Sequence, residues 1–200
     1  MHRLFVALRP PADVRAMLLD AMGDIAGARW QDDEQLHLTL RYIGEVERPM
    51  AEDVAIALES VRAAAVTLAI SGVGKFDGGG RPGGAVWAGV TPHEPLAALH
   101  KKIDSALVRA GLQPERRAYL PHITLARLSR SAGSPDRFLA DHAMLSSAPF
   151  TLDHVLLYES HLRSSGATYE AVARYPLTRQ LRSNTPQAMR PPELPDGSVL

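Results

Sequence analysis

The sequence predicts an α+β fold of two sheet-and-helix lobes, related by a pseudo-twofold axis and facing each other across a central groove. Two observations carry this. A strand–helix–strand pattern runs twice along the 200 residues, and the second strand of each copy holds the same tripeptide pattern, His37-Leu38-Thr39 and then His122-Ile123-Thr124. Helical and strand periodicities are also of similar extent, which fits neither an all-α nor an all-β chain. One bilobal domain is expected over residues 1–180. The tail over residues 181–200, with Pro186, Pro191, Pro192 and Pro195, has little to bury and is expected to be disordered.

The elements follow in order. Arg3 to Leu8 (RLFVAL) is an apolar run of strand length. Pro10-Pro11 closes it and opens a helix in which Val14, Met17, Leu18, Met22 and Ile25 recur at helical spacing. Leu36 to Ile43 reads as a strand ended by Gly44, and Pro49 to about Ala64 as a helix with Val54, Leu58 and Val61 on one face. Val66 to Ile70 reads as a strand, and Gly72 to Gly84 as a Gly-rich loop at the groove rim.

The second copy starts at the strand Ala85 to Val90. Leu96, Leu99, Ile103, Leu107 and Ala110 mark one helix face, with Gly111 as the C-terminal stop. Leu120 to Leu128 is the second motif strand, Pro135 to Met144 a short helix, and Phe150 to Tyr158 and Thr168 to Tyr175 a closing pair of strands.

Bulk properties narrow the function classes. Lys+Arg and Asp+Glu both number 22, so no general basic field coats nucleic acid. A small pocket for one phosphate remains compatible with that balance. With no cysteine, thiol nucleophiles, Cys-ligated zinc, iron–sulfur clusters and disulfides are excluded. The N-terminal apolar run is too short for a signal peptide and no stretch approaches membrane-spanning length, so a cytoplasmic protein without membrane contact is expected.

Successive strand side chains point to opposite faces. In Leu36 to Leu40 the three leucines share one face, while His37 and Thr39 share the other, roughly 7 Å apart along the strand. Leu120, Ile123 and Leu125 stand in the same relation to His122 and Thr124, with Pro121 breaking strict alternation. A single such motif is most simply the polar face of a half-exposed strand. Two in matching positions of a repeat point to one shared site, with the histidines facing across the groove. Histidine titrates near neutral pH, so one ring can act as general base and the other as general acid. Threonine hydroxyls can orient a phosphoryl oxygen. A metal site is the competing use of the histidines, but no His-x-His and no H-E-x-x-H occurs, and no G-x-S-x-G elbow supports a serine nucleophile.

These pieces resemble the 2H phosphoesterases and, within them, the RNA 2′,3′-cyclic phosphodiesterases, historically called 2′-5′ RNA ligases. The resemblance runs to about Leu177. It rests on RLFVAL, LHLTLRYIGEV, the G-x-G-x-F segment from Gly72 to Phe76, VWAGV, PHITLARL, and LLYESHL followed by Gly166 and Tyr169. It implies a bilobal fold with a central groove, no cofactor and no metal, and hydrolysis of a terminal 2′,3′-cyclic phosphate to a 2′-phosphate. His122 is implied as general base on water, His37 as general acid on the departing 3′ oxygen, and Thr39 and Thr124 as phosphate ligands. The family also joins RNA ends reversibly through a 2′-5′ linkage, with a 5′-hydroxyl replacing water. The chain departs from the family where Gly83-Gly84 follows Arg81-Pro82, in place of a bulkier Arg-containing segment.

Two arginines compete to complete the phosphate site. The resemblance implies Arg127, five positions after His122, although strict alternation turns it to the other face unless a bulge intervenes near Ala126. Arg41, four after His37, has the right parity. Phe76, Trp30, Trp87 and Tyr42 are candidates to stack on a base and equally candidates for the core. His2, His93, His100, His142, His154 and His161 have no partner pattern and read as surface residues. The expected partners are RNA ends or nucleotides bearing a 2′,3′-cyclic phosphate, with the protein acting as a monomer. The alternatives are a phosphodiesterase for small cyclic nucleotides or 2′-5′ oligonucleotides, and a nucleotide-binding module without catalysis.

Overall fold

The computed structural model describes residues 1–77, 83–163 and 166–178. Arg81, Pro82 and the tail over residues 181–200 lie outside the described residues. The elements are β1 (His2–Leu8), α1 (Ala12–Asp20), β2 (Arg29–Trp30), a 3-10 turn (Asp33–Gln35), β3 (Leu38–Val46), α2 (Arg48–Glu59), β4 (Val66–Asp77), β5 (Gly84–Thr91), α3 (Glu94–Arg109), β6 (His122–Leu128), α4 (Asp136–Asp141), β7 (Phe150–Leu152), β8 (His154–Arg163) and β9 (Gly166–Pro176).

Among the described residues these strands pair antiparallel, in the order β7-β4-β5-β6-β3-β1-β8-β9, with β2 set against β6. The centre of this order is its weakest joint: β3 meets β6 through the single pair Leu38–Ile123. On either side of it the registers match. Leu8, Ala7, Val6 and Phe5 of β1 stand opposite Leu38, Thr39, Arg41 and Tyr42. Ala88, Trp87, Val86 and Ala85 of β5 stand opposite Ile123, Thr124, Ala126 and Arg127. The two halves are therefore copies of one β–α–β unit, β1-α1-β3 and β5-α3-β6, related by a pseudo-twofold axis through the Leu38–Ile123 pair.

The registers also show a bulge at the same place in each copy. Leu40 on β3 and Leu125 on β6 each have no direct partner in their ladder. An extra residue of this kind reverses the facing of everything after it.

The core lies on the face carrying Leu36, Leu38, Leu40, Ile123 and Leu125, all 2% exposed or less. Helix α3 packs on β3 and on α2, and α2 reaches β1 and β9. Burying each such leucine is worth on the order of 1.5–3 kcal/mol. A separate small cluster of Phe5, Ala7 and Tyr158, with Leu156 and Tyr169 against it, forms on the opposite face of β1 and β8.

Several boundaries differ from the sequence expectation. Strand β3 starts after His37 and runs through Gly44, whose φ of 88° places it in a further register shift rather than at a strand end. Gly72, with φ of 69°, does the same in β4, so residues 72–77 of the expected loop are strand. Helix α2 stops at Glu59, short of Ala64. The expected strand from Phe150 to Tyr158 is two strands broken at Asp153, because β7 pairs with β4 in one half and β8 with β1 in the other. Leu120 precedes β6 and is 44% exposed, so it does not share the core face with Ile123 and Leu125. Among the described residues, no helix is long and apolar enough to cross a membrane.

Candidate active site

His37, Thr39, His122, Thr124 and Arg127 line one cleft of about 260 Å³, together with Arg3, Phe5, Gln31, Tyr42, Ser160, Ala167 and Tyr169. The Leu38–Ile123 pair explains the convergence. Residues flanking an antiparallel pair share the opposite face, so the two motifs place two imidazoles and two hydroxyls side by side on the sheet. His37 and His122 are diagonal neighbours in that arrangement, which sets them within about 7–8 Å of each other.

Both rings are held alike. His37 Nδ1 donates to the carbonyl of Gln35 at 2.7 Å, and His122 Nδ1 donates to the carbonyl of Leu120 at 2.7 Å. A carbonyl only accepts, so each Nδ1 carries the proton and each Nε2 keeps a lone pair in the neutral ring. Aromatic side chains fix the ring planes. Phe5 lies 4.9 Å from the His37 centroid, with Tyr169 edge-on at 5.3 Å and Tyr158 at 6.1 Å. Phe76 stands edge-on to His122 at 4.8 Å, with Trp87 at 6.2 Å.

Burial disfavours charge on both rings. It pushes His37 from its ordinary 6.5 down to about 4, opposed by the Gln35 carbonyl and reinforced by the charges of Arg127 and His122. His122 is lowered too, chiefly by burial and also by Arg127, against the Leu120 carbonyl. Both imidazoles are thus neutral at pH 7. The linkage to stability follows in sign. Between pH 6.5 and about 4 the unfolded chain binds a proton at His37 that the folded chain refuses, so stability falls as pH falls through that window. In urea titrations at pH 7.5 and pH 5, His37→Gln should lose about 1–2 kcal/mol less than wild type on acidification. Equal losses would show that burial of His37 does not carry the effect.

The bulge at Leu125 turns Arg127 into the cleft. The matching bulge at Leu40 turns Arg41 away from it, and the residue five after His37, Tyr42, takes the place equivalent to Arg127. Arg41 is 8% exposed; its guanidinium donates to Asp104 at 2.8 Å, to Glu115 at 3.3 Å and to the carbonyls of Tyr42 and Gln113. The parity that favoured Arg41 holds only for an unbulged strand, and the structure does not bring Arg41 to the cleft.

Of the other aromatic candidates, Phe76 and Trp87 flank His122, and Trp30 packs on Phe138 at 5.3 Å. Tyr42 is 53% exposed on the rim. His100 stacks on Tyr119 and His142 on Phe138, and His2, His154 and His161 are half-buried too, so of the six histidines expected at the surface only His93 is exposed. Sequence reasoning missed Phe5, Tyr169 and Gln31. The first sits in an unbroken apolar run whose alternation is invisible, and Gln31 lies in a two-residue strand's wake with no periodic signal. Among the described residues, no group of three or more His, Asp or Glu side chains stands where it could hold a metal ion.

A model of the 2′-5′ RNA ligase superfamily matches residues 11–163. The RNA 2′,3′-cyclic phosphodiesterase of Aeropyrum pernix is 29% identical over 144 residues, covering 70% of this chain and 81% of the relative. That of Escherichia coli is 27% identical over 184 residues, covering 89% and 98%. The crystal structure of Escherichia coli LigT complexed with 3′-AMP shares the fold, with a TM-score of 0.71 at 24% identity over 88% of this chain and 98% of that one.

Proposed function

We propose, for a chain that belongs to the 2′-5′ RNA ligase superfamily, that this cleft hydrolyses an RNA terminal 2′,3′-cyclic phosphate to a 2′-phosphate by general acid–base catalysis without a metal. The observation that supports this most is the pairing of two histidines, each with Nδ1 tied to a carbonyl and no hydrogen-bond partner at Nε2 among the described residues, in one cleft with two threonines and an arginine. The names borne by the relatives from Aeropyrum pernix and Escherichia coli support the same substrate class.

In this reading, His122 Nε2 takes a proton from water as its oxygen attacks phosphorus. The bond from phosphorus to the 3′ oxygen breaks, and His37, protonated at Nε2, gives its proton to that oxygen. Thr39, Thr124 and Arg127 hold the non-bridging oxygens, which carry the charge that develops. The bound phosphate is an anion, and its charge favours the imidazolium that burial and Arg127 otherwise disfavour. Burial, Arg127 and His122 all press on His37, so its imidazolium, once formed beside the phosphate, gives up its proton readily. Replacing water by a 5′-hydroxyl in the same step gives a 2′-5′ linkage, the reversible ligation.

Turnover of an RNA bearing a 2′,3′-cyclic phosphate in the presence of EDTA tests this. Full activity with the chelator is expected. Loss of activity to EDTA, restored by a divalent cation, contradicts the metal-free reading. Comparing rates on a cyclic mononucleotide and on the oligonucleotide sets the substrate class, with the RNA end expected to be preferred.

A further inference from the structure

Gln31 presents a donor that the fold itself does not use. The residue is only 7% exposed, it lines the cleft of His37, His122, Thr124 and Arg127, and its Nε2 is buried with no hydrogen-bond partner among the described residues. A buried amide left unpaired is destabilising, and native proteins rarely keep one without a reason.

Its position is fixed by the backbone. Strand β2 lies along β6 with Arg29 opposite Arg127 and Trp30 opposite Ala126, and the Gln31 backbone N–H donates to the carbonyl of Leu125 at 2.8 Å. Trp30 turns into the core against Phe138, so alternation turns Gln31 to the face of Arg29 and Arg127. The bulge at Leu125 brings Thr124 to that same face. On the other side, Asp32 and Gln35 lock the following turn with a reciprocal capping box, and the carbonyl of Gln35 holds His37. The segment from Gln31 to His37 is thus tied to the cleft at both ends.

We infer that Gln31 is a further substrate-binding residue, whose carboxamide N–H donates to a phosphoryl oxygen held between Thr124 and Arg127. This rests on the proposed phosphoesterase reading only for the identity of the phosphate's carrier. The assigned chemistry is that of a phosphate monoanion or dianion meeting a preformed neutral donor.

The experiment is Gln31→Leu, which keeps the apolar volume and removes the donor. Binding of adenosine 2′-monophosphate is measured by calorimetry, alongside thermal unfolding and the rate on a 2′,3′-cyclic phosphate. The expected result is about tenfold or greater weakening of nucleotide binding, a similar fall in kcat/KM, and a melting temperature equal to or above wild type. Gln31→Glu, which sets a carboxylate against the phosphate, should bind more weakly still. Wild-type nucleotide affinity in Gln31→Leu overturns the inference, as does a lowered melting temperature with unchanged affinity, which is the mark of a packing role. Because binding is read without turnover, the two readings separate. A wild-type protein that binds the nucleotide through Gln31 but turns over no cyclic phosphate sinks the proposed function alone.

Discussion

His37→Ala and His122→Ala are each expected to lower turnover of a 2′,3′-cyclic phosphate by at least a hundredfold, the low end of what a positioned acid or base contributes. The two losses should differ in kind. A departing ribose oxygen needs a proton, whereas a weakly basic phenolate does not. On a 4-nitrophenyl ester of a nucleoside phosphate, His37→Ala should lose less than tenfold while His122→Ala still loses a hundredfold or more. Equal losses on both substrates would remove the assignment of His37 as acid and His122 as base. Wild-type turnover in either variant would remove the histidines from the mechanism altogether. Both variants keep the core face intact, since Leu36, Leu38, Ile123 and Leu125 lie on the other side of their strands. Thermal melts of the variants serve as the control for folding.

The two arginines should separate activity from stability. Arg127→Met removes a cation that lines the cleft and, on the proposed mechanism, is expected to lower kcat/KM about 10–100-fold, the worth of a hydrogen bond to a charged group, with the melting temperature nearly unchanged. Arg41→Met removes the common partner of Asp104 and Glu115 from a nearly buried position. Breaking a buried pair from one side leaves the other charge uncompensated, and a loss of about 3 kcal/mol is expected in urea titration. Its kcat/KM, measured on the folded protein, should stay within about twofold of wild type, inside the spread of changes distant from a site. An active-site phenotype for Arg41→Met with no loss of stability would contradict the bulge-based placement of the two side chains.

That contrast also marks how far the sequence could be read. Repetition carried the two-lobed architecture, and strand alternation carried the facing of His37, Thr39, His122 and Thr124, because these residues lie before the bulges. Beyond Leu40 and Leu125, alternation misleads. A bulge depends on how the neighbouring strand pairs, which is a tertiary property, and nothing in LHLTLRY or PHITLAR announces it. The resemblance pointed to Arg127 where parity pointed to Arg41, and the bulge is why they disagreed. Gly44 and Gly72 misled in a related way: each reads as a stop, and each marks a register shift that the strand continues through. The break at Asp153 was equally hidden, since both sides of it are apolar and only the pairing partners change.

The supports around the histidines were the least legible part. Phe5 and Tyr169 reach His37 from strands distant in sequence, and RLFVAL is apolar on both faces because one packs on the core and the other on the cleft cluster. Gln31 has no periodic signal at all. Its place follows only from the pairing of β2 with β6.

The most direct measurement is the regiochemistry of the product formed from adenosine 2′,3′-cyclic phosphate, resolved by chromatography or phosphorus NMR. With His122 activating water and His37 protonating the 3′ oxygen, adenosine 2′-monophosphate is expected as the sole product. Adenosine 3′-monophosphate, a mixture of the two, or no turnover would contradict it.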